Sequence, residues 1–135
     1  MVRMHVDYQG KLRSEAVHEP SGSRIETDAP ADNEGLAERF SPTDLVCAAL
    51  ASCILTTMGI VARRREWRIE GARVDVEKHM TTDPVRRIGR IVARIAMPAG
   101  IPEEARAVLV RTANTCPVHR SLHPDVELDI AFDWA

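Results

Sequence analysis

The sequence predicts an α+β fold in a single domain. Three observations carry this. Short strand-like stretches separated by Gly and Pro fill the N-terminal third. One long uncharged run then follows, too long for a strand. Two alternating stretches, a helical stretch and a final strand complete the order βββ-α-ββ-α-β, which lacks the strand–helix alternation of a parallel sheet. The chain of 135 residues fits one domain over 1–135.

Residues 2–8, 11–18 and 23–27 read as short strands. Gln9-Gly10 and Pro20-Ser21-Gly22 are the turns between them, so the three predict an antiparallel meander. Residues 28–40 hold Pro, Gly, Asn and several charges without a period. They predict a surface loop, and loops of that length are often functional. Ser41 suits a helix N-cap and Pro42 the first helical position. The helix runs to about residue 66. Its 45–62 stretch has no charge and reaches the lower edge of a membrane span. It is rich in Ala, Ser and Thr, with Ser52, Thr56 and Thr57 near its middle, and predicts a buried core helix and no membrane.

Residues 68–78 and 87–97 alternate polar and apolar around Thr81-Thr82-Asp83-Pro84 and predict a long hairpin. Pro98-Ala99-Gly100 ends it. Ile101-Pro102-Glu103-Glu104 opens a second helix with Ala105, Val108, Leu109 and Ala113 at helical spacing. It ends near Asn114. A helical turn starts at Pro117, and residues 126–134 form the last strand.

Hydrophobic residues make up 44% and aromatics 4%, so the core is aliphatic and its side chains small. Such a core gains from dimerisation. Net charge is -2, which gives no nucleic-acid footprint. Arg63-Arg64-Arg65 closes the long helix, where cations suit the terminal carbonyls. Met1-Val2-Arg3-Met4-His5-Val6-Asp7-Tyr8 has no apolar core of a secretory leader, so a cytoplasmic location is expected. There a disulfide is more often transient and catalytic than structural. No Gly-rich phosphate loop, Gly-x-Ser-x-Gly elbow or His-Glu-x-x-His occurs, and no cofactor is expected.

The chemistry-bearing residues are two of the three cysteines. A thiol attacks as the thiolate, which needs a cation or a helix N-terminus nearby. Cys53 lies about three turns into its helix, beyond the reach of the dipole. Its helical neighbours Ala49, Leu50, Thr56 and Thr57 carry no charge. An activator must come from another segment: Arg13 first, then Arg39, Lys11 and Arg24. Without one, Cys53 is an inert core residue, and local sequence favours that reading. Cys116 precedes Pro117 at the start of a short helix, where backbone N–H groups favour a thiolate. A small residue filling a turn explains it as well. Cys47 reads as core. Cys116, His119, His123 and Cys53 also make four potential zinc ligands, weighted below a thiol pair because no Cys-x-x-Cys knuckle accompanies them.

Ser41-Pro42-Thr43-Asp44-Leu45 leading to Ala51-Ser52-Cys53, and Cys116-Pro117-Val118-His119-Arg120 before a terminal strand, resemble the OsmC/Ohr family over nearly the whole chain. The resemblance implies an OsmC-like fold: antiparallel sheets around two central helices in an intertwined homodimer. It implies a thiol peroxidase acting on organic hydroperoxides, with Cys53 peroxidatic, forming a sulfenic acid, and Cys116 resolving it as a disulfide. A dithiol reductant, such as a lipoylated protein, would reset the pair. The family arginine maps to Arg13. Separately, Leu50, Ile54 and Met58, with partner side chains, are expected to line an apolar substrate pocket. The family's glutamate after the helix-start proline is Thr43 here. That departure keeps a second reading open, a non-catalytic redox-sensing or ligand-binding module.

Overall fold

A computed structural model describes all residues, 1–135. The chain divides into two compact units, Met1–Val46 and Cys47–Ala135.

The N-terminal unit contains an antiparallel meander of β1 (Met4–Gly10), β2 (Arg13–His18) and β3 (Arg24–Asp28), in the order β1-β2-β3. Gly10, Lys11 and Leu12 all have positive φ and turn the chain between the first two strands. After β3 the predicted loop folds back on itself around a single 3-10 turn, Ala31–Asn33. The Asp28 amide donates to the Phe40 carbonyl at 3.1 Å, which ties its two ends together. Gly35 lies so close to the Ala29 carbonyl that a Cβ would overlap it.

Helix α1 (Pro42–Arg64) starts where the sequence places it. The Asp44 amide donates to Ser41 Oγ at 3.1 Å, and the Ser41 amide donates to Asp44 Oδ2 at 2.9 Å. This reciprocal pair is a capping box with Asp as the acid. By length and apolarity α1 could cross a bilayer. Its stripe Cys47, Leu50, Ile54, Met58 and Ala62 is buried. These residues recur every three or four positions and so share one helix face.

In the C-terminal unit, residues 65–72 form a turn, not the start of a strand. Glu66 and Gly71 both have positive φ there. Strand β4 therefore begins later than the alternation suggests, at Arg73, and runs to Thr81. It forms the expected hairpin with β5 (Arg87–Met97). Helices α2 (Glu103–Ala113) and α3 (Pro117–Ser121) follow, then β6 (Glu127–Trp134). One feature departs from the all-antiparallel expectation. Strand β6 pairs with β5 in parallel, Arg90 opposite Glu127 through Met97 opposite Trp134. The connection through α2 and α3 is the long crossover that a parallel pair requires. The second sheet, β4-β5-β6, is thus mixed.

The aliphatic core of this unit joins Cys47, Leu50, Ile54 and Met58 of α1 to Ile91, Ile95 and Met97 of β5 and Ala105, Leu109 and Ala113 of α2. Cys116 is buried in the same cluster. Each large aliphatic side chain buried there contributes about 1.5–3 kcal/mol.

Candidate thiol site

Cys53 lies on the flank of α1, beside its buried stripe, and is half-buried. Cys116 precedes α3 and is fully buried. Its backbone is extended and Pro117 takes the first helical position, so Cys116 is the N-cap of α3. The His119 amide donates to Cys116 Sγ at 3.4 Å. The Val118 amide at the start of α3 and the two sulfurs are near enough to shift one another's ionisation, and both thiols are free.

These contacts push the two thiols in opposite directions. Burial acts to raise the Cys53 pKa, but the Val118 amide, the Cys116 thiol and the Thr57 hydroxyl together outweigh it, and the net shift is downward. Thr57 Oγ1 lies 3.8 Å from Cys53 Sγ. For Cys116, burial again raises the pKa. The neighbouring Cys53 adds to that rise, against the lowering by the His119 and Val118 amides, and the net shift is upward. The arrangement favours Cys53 as the thiolate and Cys116 as the protonated donor. A thiolate is the nucleophilic form, so at a given pH Cys53 is the more readily ionised of the two.

The cation expected beside Cys53 is not among these donors. Arg13 sits in the N-terminal unit. Its Nε donates to Asp28 Oδ1 at 2.6 Å and its Nη2 to Glu38 Oε2 at 2.5 Å. The hydrogen bonds to Asp28 and then Glu38 raise its pKa, so it stays charged. The Asp28 side chain is 2% exposed and also accepts from the Glu38 amide at 3.1 Å. Arg39 bonds Glu26, Arg24 bonds Glu15 at 2.5 Å, and Lys11 is exposed. Asp44, the nearest acid to Thr43, is held by its part in the α1 cap.

Two expectations need correction. Leu50, Ile54 and Met58, expected to line a substrate pocket, are each 0% exposed and belong to the core. Their α1 face is the one that packs inward, so this chain offers none of their surface to a substrate. An open groove of about 700 Å³ lies elsewhere on the unit, lined by Leu55, Gly59, Arg63, Trp67, Arg68 and Ile69 among others. The zinc-ligand reading also fails geometrically: His119 and His123 do not gather with the cysteines into a group of three or more ligands. His123 Nδ1 instead accepts from the Asp125 amide at 3.0 Å.

Asp28, Glu38, Thr57 and the Val118 amide are the participants that sequence reasoning misses. Only Thr57 leaves a signal, its spacing one turn beyond Cys53.

The family model for OsmC-like proteins matches residues 33–131. This chain belongs to the OsmC-like family. A crystal structure from Psychrobacter arcticus, of a protein provisionally named an osmotic stress induced and detoxification response protein, shares 42% identity at a TM-score of 0.92. The alignment covers 98% of this chain and 96% of that one. An organic hydroperoxide resistance protein OsmC from Legionella pneumophila aligns at a TM-score of 0.78 with 15% identity, covering 98% and 96%. The organic hydroperoxide resistance protein OhrB of Bacillus subtilis aligns at 0.68 with 16% identity, covering 98% of each chain. At such identities the last two establish the shared fold. No match is found among curated proteins.

Proposed function

We propose that this OsmC-like chain is a two-cysteine peroxidase acting on organic hydroperoxides. The observation that carries the reading is two free, neighbouring thiols, Cys53 beside the Thr57 hydroxyl and Cys116 capping α3, in surroundings that favour ionising Cys53 over Cys116. The Cys53 thiolate attacks the terminal peroxide oxygen. The O–O bond breaks, an S–O bond forms, and the alkoxide leaves and takes a proton to become the alcohol. The Cys53 sulfenic acid then condenses with the Cys116 thiol, releasing water and leaving a disulfide. A dithiol, for which a lipoylated protein is the proposed source, returns both sulfurs to thiols. Names of structural relatives that refer to organic hydroperoxide resistance support this substrate class. Arg13, kept charged by Asp28 and Glu38, is the proposed cation that adds to thiolate activation.

A homodimer and a cytoplasmic location belong to the same proposal. Met4, Val6 and Tyr8 share one face of β1, and Val6 stands in register with Ala16 and Ile25. Met4, Val6, Tyr8 and Ile25 are all exposed. A contiguous apolar face of this kind marks an association surface. Light scattering on the purified protein should give twice the chain mass.

The test of function is steady-state consumption of cumene hydroperoxide with a dithiol reductant. Wild type should turn over and Cys53→Ser should not; equal rates would remove Cys53 from the chemistry. A redox-sensing module is the second reading, favoured by Thr43 where the family carries glutamate. It predicts one round of Cys53 oxidation without sustained turnover.

A further inference from the structure

We propose that Thr57 is a catalytic residue, its hydroxyl donating a hydrogen bond directly to the reacting sulfur of Cys53. The inference rests on Cys53 being the attacking thiol. Residues four apart on a helix stack on one face, so Thr57 lies directly after Cys53 on α1. Its Oγ1 is 3.8 Å from Cys53 Sγ, within the range of a hydrogen bond to sulfur.

The orientation of that hydroxyl is the second observation. A threonine inside a helix commonly turns its hydroxyl back to the carbonyl one turn earlier. Two helical threonines of this chain do so, and Thr115, just past the end of α2, does the same. Thr56 bonds the Ser52 carbonyl at 3.0 Å, Thr112 bonds that of Val108 at 2.8 Å, and Thr115 bonds that of Arg111 at 2.9 Å. Thr57, adjacent to Thr56 on the same helix, meets the Cys53 sulfur instead. A thiolate only accepts hydrogen bonds, so once Cys53 ionises the hydroxyl must be the donor.

The groups facing Cys53 within this unit are Thr57 on its own helix, and the Cys116 thiol and Val118 amide from the start of α3. Of these only Cys116 titrates, and burial holds it protonated. The groups of this unit that lower the Cys53 pKa are therefore neutral donors, and Thr57 is one of three. Thr57 lies on α1 itself, four residues from Cys53, whereas the other two groups come from the start of α3.

The experiment is the pH dependence of iodoacetamide alkylation at Cys53, read by mass spectrometry of the peptide, for wild type, Thr57→Val and Thr57→Ser. Valine matches threonine in shape but cannot donate. Alkylation of Thr57→Val at pH 7 should slow roughly two- to tenfold, the share of one hydrogen bond. Its midpoint should move to higher pH, and Thr57→Ser should restore the wild-type profile. A Thr57→Val profile that superimposes on wild type overturns the proposal. So does a Thr57→Ser profile shifted as far as that of Thr57→Val, which marks a packing role. If Thr57→Val fails to fold, Thr57→Ala replaces it with the same expectation. Alkylation needs no peroxide, so it reads Thr57 even if Cys53→Ser were to leave turnover intact and defeat the peroxidase reading.

Discussion

Arg13 and Cys53 are held by unlike neighbours. In the N-terminal unit Arg13 is fixed by charge: Asp28 and Glu38 grip its guanidinium, and Asp28 is itself buried. In the C-terminal unit Cys53 meets a backbone amide, a thiol and a hydroxyl. Ion pairing gives the first region a permanent cation in a defined place. Neutral donors give the second a thiol that ionises more readily yet brings no fixed charge with it. A fixed countercharge would also stabilise the thiolate; a lower pKa from either source reduces the intrinsic nucleophilicity. Within the C-terminal unit the neutral neighbours of Cys53 are enough to outweigh the effect of its burial on the pKa.

That comparison breaks most readily at the sulfurs. Cys53→Ser should reduce hydroperoxide consumption to the uncatalysed background, measured by residual peroxide. Next in size, Cys116→Ala should stop turnover after one oxidation, and the Cys53 sulfenic acid should persist long enough for capture by dimedone. Because the Cys116 thiol helps to lower the Cys53 pKa, the same variant should alkylate more slowly at neutral pH.

Arg13→Met tests the other region. Removing a cationic donor that stabilises developing charge lowers turnover by about 10²-fold. Alkylation of Cys53 should fall by much less, because its neutral donors remain. Equal losses in both assays would show that Arg13, not the α3 turn, sets the thiolate. Leu109→Ala probes the core beneath the site. It should destabilise folding by about 2–5 kcal/mol, read by urea denaturation. In the fraction still folded, the pH midpoint of Cys53 should be unchanged.

The pH profile itself follows from the direction of the shift. The thiolate reacts and the Cys53 pKa is lowered, so its alkylation should rise through a midpoint below that of an ordinary cysteine. Cys116, shifted upward, should rise only at higher pH.

Much of this was legible in the sequence, for reasons that differ by element. Ser41 and Pro42 fix the start of α1 because capping is local chemistry, and the structure adds only that Asp44 completes the box. The hairpin of β4 and β5 follows from alternation. The start of β4 does not, because Trp67 and Ile69 pack on the core from an irregular turn and mimic a strand. The parallel pairing of β6 was illegible, since alternation reveals a strand but not its neighbour. At the site, Cys53 and Cys116 stand out as residues, whereas their donors do not. A backbone amide has no sequence signature, and a neutral hydroxyl at Thr57 is easily passed over beside the question of a cation. Asp28 and Glu38 lie at the two ends of a stretch without period, and only its fold brings them to Arg13. The family resemblance supplied the roles of the two cysteines; the pocket expected from Leu50, Ile54 and Met58 with partner side chains rests on apolarity alone, and apolarity equally marks the buried core in which they lie.

The most direct measurement is peptide mapping after one equivalent of cumene hydroperoxide is added to the reduced protein without reductant. The account predicts loss of the peroxide and a disulfide joining the Cys53 and Cys116 peptides of one chain, with Cys47 still a free thiol. Peroxide left untouched with all three thiols intact would contradict it.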